Sequence, residues 1–418
     1  MLERICSWKR EFRVEGAAAT FLLVGYIFIP IAPAPVNLAL FFSLLSAGFS
    51  RRIRERYKAL FRQKVFICFF VLYAVLLLSS LYGAGSWILK LHYLGKYLEI
   101  GYMPLLAAII YKRKYRDATL RAFSLVMIVT LIASYLGYFG IHLDIPNLGW
   151  SPSGPAHNPT VFKLEITHNF FMAFAVFLWL QGVLQSKNNW EKFSYLLLFL
   201  LGSVNIFWMV GGRTGYLTFF SLIFVLLIEK ITIKRGALGF FIFLITITFI
   251  YQYVPKFHNQ IHQGLTEMQN WTPNVGSTSS IGIRLDFWNS SLRLIQDSPI
   301  FGSGIAGYEE GYKKIQSGSN LAPSVNPHNQ YLLFLAQIGW FGLFVFGWLN
   351  YVIWVGSYRL ERSWGLWVRG IVLGYATANI FNSLLLDFSE GIFFSASLAI
   401  AFSTLLDNDS CNRERELV

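Results

Sequence analysis

The sequence predicts an all-α polytopic membrane protein of about twelve transmembrane helices, a single integral domain over residues 1–418 with a large outward loop between the ninth and tenth helices. Three observations predict it. Hydrophobic residues make up 55% of the chain and charged residues only 14%, at a mean hydropathy of +0.49. Apolar runs long enough to cross a bilayer recur from end to end. Lys and Arg gather in short loops between alternate runs, as they do on the cytoplasmic side of a membrane.

The spans are expected at 16–33, 35–49, 65–86, 87–110, 122–140, 167–184, 195–210, 214–228, 237–253, 329–357, 365–386 and 392–406. With both termini cytoplasmic, the inner pieces are 1–15, 51–64, 111–121, 185–194, 229–236, 358–364 and 407–418. They hold 25 of the 35 Lys and Arg but 12 of the 22 Asp and Glu, an excess of 13 that equals the net charge of the whole chain. The opposite orientation would place this excess outside. Basic loops facing anionic lipid account for the pI of 9.6 without a nucleic-acid partner.

Ala32-Pro33-Ala34 imitates a signal cleavage site, but Pro35 stands at the would-be bond and a second span begins at once. The first span is therefore expected to be retained. Cys6 and Cys411 fall in the cytoplasmic tails and Cys68 within a span, so no disulfide framework is expected.

Two outward regions are large enough to build a site, 142–166 and 254–327. The second is expected to form a subdomain of short interfacial helices. Within it Leu285, Trp288, Leu292 and Ile295 recur at helical spacing, after Ser279-Ser280 as an N-cap and before Pro299-Ile300-Phe301-Gly302-Ser303-Gly304. No internal or inverted repeat is visible.

Three residues in and around these regions suggest chemistry. Arg213 lies in Gly211-Gly212-Arg213-Thr214-Gly215, between two short spans, where a guanidinium is costly unless it meets an anion or backbone carbonyls. Taken alone it is equally accounted for by snorkelling and capping of the preceding helix. Arg284 sits in the first turn of the interfacial helix, where a lone Arg is more often solvated. His328, in Asn326-Pro327-His328-Asn329, stands where a watery loop meets a span. A helix-start histidine by itself more often satisfies local hydrogen bonds.

The spacing of these residues resembles a family. Arg213 is followed by Leu217, His328-Asn329 by Gly339 and Gly342, and Arg284-Leu285-Asp286-Phe287-Trp288 by Pro299, Gly302, Gly304 and Tyr308. From about residue 195 to 357 this resembles the bacterial O-antigen ligase and polymerase superfamily, most closely the lipopolysaccharide O-antigen ligases. The motif is shared by ligases, polymerases and protein O-oligosaccharyltransferases.

The resemblance implies a GT-C-like glycosyltransferase of the bacterial inner membrane. It would transfer a glycan from undecaprenyl diphosphate to lipid A-core on the periplasmic face, with inversion and without a metal or other cofactor. The partners implied are the lipid-linked glycan, the lipid A-core acceptor and membrane lipid. Arginine suits a departing diphosphate through its planar fork of donors, and histidine suits removal of the acceptor proton. Arg213, Arg284 and His328 are thus the expected catalytic residues, both arginines also binding substrate. Arg293, Asn329, Tyr308 and His168 are further substrate-binding candidates, with Lys90, Lys96 and Glu99 behind them. Arg369 is read as snorkelling.

The single Asp-x-Asp, Asp407-Asn408-Asp409, falls on the cytoplasmic side. The outward acids Asp144, Glu165, Glu267, Asp286, Asp297, Glu309, Glu310, Asp387 and Glu390 are scattered, so no metal site is expected. A polymerase using two lipid-linked glycans is the alternative within the family. A transporter is the alternative outside it, and would carry ionisable groups or broken helices near mid-membrane.

Overall fold

The computed structural model describes residues 2–141, 159–229 and 233–405, the side chains of 2–12, 233–240, 242 and 243 excepted. Cys411, Asp144 and Asp407-Asn408-Asp409 lie outside the described residues, as does most of the first outward region. The described chain is helical, without a strand.

Helix α1 (Leu2–Phe28) and α2 (Pro33–Gly48) form an antiparallel hairpin that starts with Pro33 in the first turn of α2, where its missing N–H costs nothing. Ser43 Oγ donates to Ala18 O across it at 2.8 Å. The basic helix α3 (Arg51–Leu60) turns 98° from α2, capped by Ser50. Arg56 of α3 pairs with Glu15 of α1 and lies over the Tyr111 ring at 3.7 Å.

α4 (Lys64–Ser79) is followed by α5 (Trp87–Lys96) and α6 (Leu98–Ile109). The span expected at 87–110 is thus two helices. They break at Tyr97, whose ring is buried against Phe334 and whose hydroxyl donates to Gln337 Oε1 at 2.9 Å. A tertiary contact here overrides helical continuity.

α7 (Arg113–Tyr138), α8 (Glu165–Gln185) and α9 (Asn189–Val204) come next, and α9 ends in a π-helical turn at Asn205–Met209. Then follow α10 (Arg213–Glu229) and α11 (Ile233–Tyr253), the three helices of the second outward region, α12 (Pro255–Gln269), α13 (Ser280–Asp297) and α14 (Gly307–Gln316), and finally α15 (Gln330–Ser357), α16 (Arg362–Ala378) and α17 (Phe388–Phe402).

Among the described residues, four helical stretches are individually long and apolar enough to cross a membrane: Arg113–Tyr138, Glu165–Gln185, Asn189–Met209 and Gln330–Ser357; the bent α2–α3 pair is a fifth candidate. Large apolar side chains face outward, among them Phe41, Leu125 and Phe344, where a water-soluble fold would bury them. α17 is buried on all sides and forms the axis of the bundle. Its Ser389, Ser395 and Ser397 let neighbouring helices approach, the close packing that joins helices in lipid. Around Phe393 of α17 pack the rings of Tyr26, Phe123, Phe171, Phe174 and Trp367, tilted or edge-on to it.

α15 is broken at Gly339 (φ 65°, ψ −168°), a conformation L side chains rarely adopt. A Cβ there would lie 2.2 Å from Ile300 O. The strap Pro299–Gly304 fits into this break: Trp340 N–H donates to Pro299 O, Phe341 N–H to Ile300 O, Ser303 N–H to Ala336 O and Gly304 N–H to Gln337 O. The outward region is thereby fastened to the bundle. Arg369, expected to snorkel, is instead buried; its guanidinium pairs with Glu229 at 2.9 Å and donates to Ser357 Oγ.

Candidate active site

Arg213 opens α10 because the chain is broken just before it. Val210 N–H donates to Asn205 O, closing the π-helical turn, and Gly211-Gly212 then redirect the backbone. The guanidinium meets α12: Nε donates to Gln260 O at 3.0 Å and Nη1 stands 3.8 Å from Glu267 Oε2. Glu267 is itself held, accepting from Gln263 Nε2 at 2.7 Å and from Ile281 N–H at 2.9 Å. Gly264 makes this approach possible, since a Cβ there would press on Ile281 at 3.1 Å and on the Arg213 guanidinium at 3.4 Å.

Arg213 and Arg284 line one cavity of about 400 Å³, together with Glu165, Thr214, Lys256, Gln260 and Gln263. Lys256 Nζ donates to Met209 O at 2.5 Å. Three cations therefore face one space, with Glu165 in its wall and Glu267 behind Arg213. Arg284 makes no ion pair among the described residues. Burial and then the Arg213 charge push its pKa down, against a smaller pull from Glu267. Such an excess of partly buried positive charge suits an anion.

α13 connects this cavity to His328. One turn beyond Arg284, Phe287 stacks on the His328 ring (centroids 5.8 Å, interplanar 26°), and Trp288 Nε1 donates to Pro327 O at 3.1 Å. His328 has φ 49°, in the left-handed region, which few non-glycine residues enter. Its N–H donates to Asn326 Oδ1 at 2.8 Å, and Asn329 Oδ1 caps α15 by accepting from Tyr331 and Leu332 N–H. The bonds of Asn326, Pro327 and Asn329 thus fix the backbone that carries the imidazole, and Phe287 packs against the ring. Burial and the Arg284 charge lower the His328 pKa, which keeps the ring neutral at neutral pH.

The segment between α16 and α17 ties the two sides together. Asn382 Nδ2 donates to Thr214 Oγ1 at 2.8 Å, while Gln330 N–H donates to Asn379 O and Asn382 O. The span expected at 365–386 therefore ends as helix at Ala378, and its last residues bridge the starts of α10 and α15. His328 does not line the cavity that Arg213 and Arg284 share; it flanks it across Phe287.

Residues 195–347 match the family described as O-antigen ligase. This match supports membership of the O-antigen ligase and polymerase superfamily. Arg213, Arg284, His328 and the whole of α12 fall within the superfamily match, whereas Glu165 and the 379–387 segment lie outside it. A separate likeness, 31% identity over 84 residues, is to an uncharacterized protein of Haemophilus influenzae, covering 19% of this chain and 21% of that protein.

The remaining superfamily candidates sort differently. Arg293 is exposed on the opposite face of α13 from Arg284, and its Nη2 donates to Asn274 Oδ1 at 2.6 Å. Arg293→Ala is accordingly expected to leave transfer within about threefold of wild type in a turnover assay. Tyr308 is fully buried, stacked on Tyr312 beneath Phe287, and cannot touch substrate. His168 is also buried: Nδ1 accepts from Val161 N–H and Nε2 meets Asn205 Oδ1 at 3.0 Å, a satisfied core histidine joining α8 to the π-helical turn. Asn329 is a cap. Lys90 Nζ donates to Gly83 O. Lys96 and Glu99 line another cavity, of about 470 Å³, with Asp387 and His92.

On α13 the apolar stripe also differs from expectation. Leu292 is 52% exposed, and the buried face is Asp286, Phe287, Ser290, Ser291, Leu294 and Ile295. Asp286 accepts from Trp271 Nε1 and Ser277 N–H, both at 2.8 Å. Glu309 and Glu310 both pair with Lys313. No group of three or more His, Cys, Asp or Glu that could hold a metal occurs among the described residues.

Sequence reading missed Lys256, Gln260, Gln263 and the bracing Glu267. Their signal is spacing: 256, 260, 263 and 267 follow the period of one helix face, so α12 presents a polar stripe.

Proposed function

We propose that the protein is an inverting, metal-independent glycosyltransferase that transfers an O-antigen glycan from undecaprenyl diphosphate to lipid A-core. The observation that carries the reading is the shared cavity of Arg213 and Arg284 beside a neutral, rigidly positioned His328. Twelve spans, cytoplasmic termini in a bacterial inner membrane and an outward subdomain at 254–327 complete it, because the basic loops then lie inside and the site opens to the periplasm.

Both arginines, with Lys256, bind the diphosphate through charge-assisted hydrogen bonds. The acceptor hydroxyl approaches from the His328 side and attacks the anomeric carbon on the face opposite the phosphate. The new C–O bond forms as the sugar–phosphate bond breaks; its electron pair leaves on the diphosphate, where the cations stabilise it. The hydroxyl proton passes to the His328 imidazole.

Purified protein, given the lipid-linked glycan in chelator with either lipid A-core or excess donor, tests the reading. Product on lipid A-core supports the ligase; chains lengthened on undecaprenyl diphosphate identify a polymerase; absence of transfer to either rejects both. The pH dependence has a definite sign. His328 works as a neutral base and Arg284 holds its pKa down, so activity should fall on acidification as the ring protonates. Arg284→Gln removes that cation, raises the His328 pKa, and should move the acidic limb of the residual kcat/KM to higher pH. An unmoved limb would separate His328 from the base.

A further inference from the structure

We propose that a phospholipid with a zwitterionic headgroup binds in a second cavity at the opposite end of the bundle from Arg213. This cavity, of about 570 Å³, lies among α7, α8, α9 and α16. Helix α8 runs between the two sites: Glu165, its first residue, lines the Arg213 cavity and Gln185, its last, lines this one. At about 1.5 Å per residue they are roughly 30 Å apart. The inference therefore stands whether or not the glycosyltransferase reading does.

On one side the cavity opens through a gap between α7 and α9. α7 and the α9 end are joined where Tyr135 donates to Leu201 O at 3.0 Å and where Asn205 Nδ2 donates to Ser134 Oγ at 2.7 Å. Towards the basic loops the helices part, and Leu125 and Ile128 face Tyr195 and Leu198 across the opening. Leu125, Val129 and Ile132, all more than half exposed and spaced i, i+4, i+7, continue from it along the outside of α7. An acyl chain can follow this apolar track.

The floor of the gap asks for oxygen. Gln181 and Trp367 are 4% and 1% exposed, both line the cavity, and Gln181 Nε2 and Trp367 Nε1 have no acceptor among the described residues. Both are donors, so the missing partner is an acceptor such as an ester carbonyl or phosphate oxygen. The mouth carries two cations and two carboxylates, Arg113, Arg121, Asp117 and Glu361, with Arg113 3.6 Å from Asp117 and 4.0 Å from Glu361. A purely anionic headgroup would meet both carboxylates. A phosphate beside Arg121 with an ammonium beside Glu361 matches all four.

Delipidated full-length protein titrated with phosphatidylethanolamine or phosphatidylglycerol and read by native mass spectrometry tests this. One phosphatidylethanolamine should bind per chain, about tenfold more tightly than phosphatidylglycerol, and glycerophosphoethanolamine lacking acyl chains should not displace it. Gln181→Leu, which removes a buried donor without removing volume, and the surface change Arg121→Glu should each weaken binding by about tenfold with the melting temperature of the lipid-free protein unchanged or raised. Equal binding of the two lipids, displacement by the soluble headgroup, or wild-type affinity in both variants would overturn the proposal.

Discussion

His328→Asn is expected to lower kcat by about 10²- to 10⁴-fold while donor affinity stays within about threefold of wild type. Asparagine is the informative replacement because residue 328 has φ 49°. Asn enters the left-handed region with little penalty, whereas Ala would add strain of about 1–2 kcal/mol and mix a folding defect into the rate. The surrounding restraints do not depend on the imidazole: Asn326 Oδ1 holds the backbone N–H, Trp288 holds Pro327 O, and Asn329 caps α15. The variant therefore keeps the loop and loses the base. Donor binding measured separately from single-turnover transfer decides the matter. If both fall together, His328 grips the donor rather than the acceptor proton.

Why part of this site was legible in the sequence follows from what each residue depends on. Arg284 and His328 stand out only through the spacing that resembles a family, whereas Arg213 stands out because charge at the edge of an apolar run is costly, and cost is visible in one dimension. The membrane class is visible for the same reason. His168 and Tyr308 were legible only as polar residues near a helix start or in a loop. Their fate depends on burial, and that is set by the fold: Asn205, 37 residues on, meets His168, and Phe287 of another helix closes over Tyr312, on which Tyr308 stacks. The break of 87–110 at Tyr97 has the same origin, since it answers to Phe334 and Gln337, more than two hundred residues away. Two signals were present and went unread. One is the polar stripe of α12. The other is the Asn379, Asn382, Ser383 run inside an apolar stretch, which marks where backbone leaves the helix to bridge α10 and α15.

Arg213→Ala is expected to lower kcat/KM by about 10²- to 10³-fold, about 3–4 kcal/mol, chiefly through a raised KM for the donor. Arg284→Ala should lose a comparable factor, and the double variant less than the product of the two, since both cations serve one diphosphate in one cavity. Stability should separate them. Arg213 is satisfied in the protein by Gln260 O and Glu267, so its removal also strands Glu267 beside Gln263 and Ile281 and should cost about 1 kcal/mol. Arg284 makes no ion pair among the described residues, and burial and the field of Arg213 outweigh the pull of Glu267, so its removal should leave the donor-free protein as stable or more so. Thermal melting with and without donor reads the contrast: Arg284→Ala should keep its melting temperature alone and lose the rise that donor gives wild type. Arg213→Lys keeps charge without the planar fork and should recover only a small part of the lost kcat/KM. A full recovery by lysine would mean that the cavity senses charge alone, and a destabilised Arg284→Ala would mean that this guanidinium is structural.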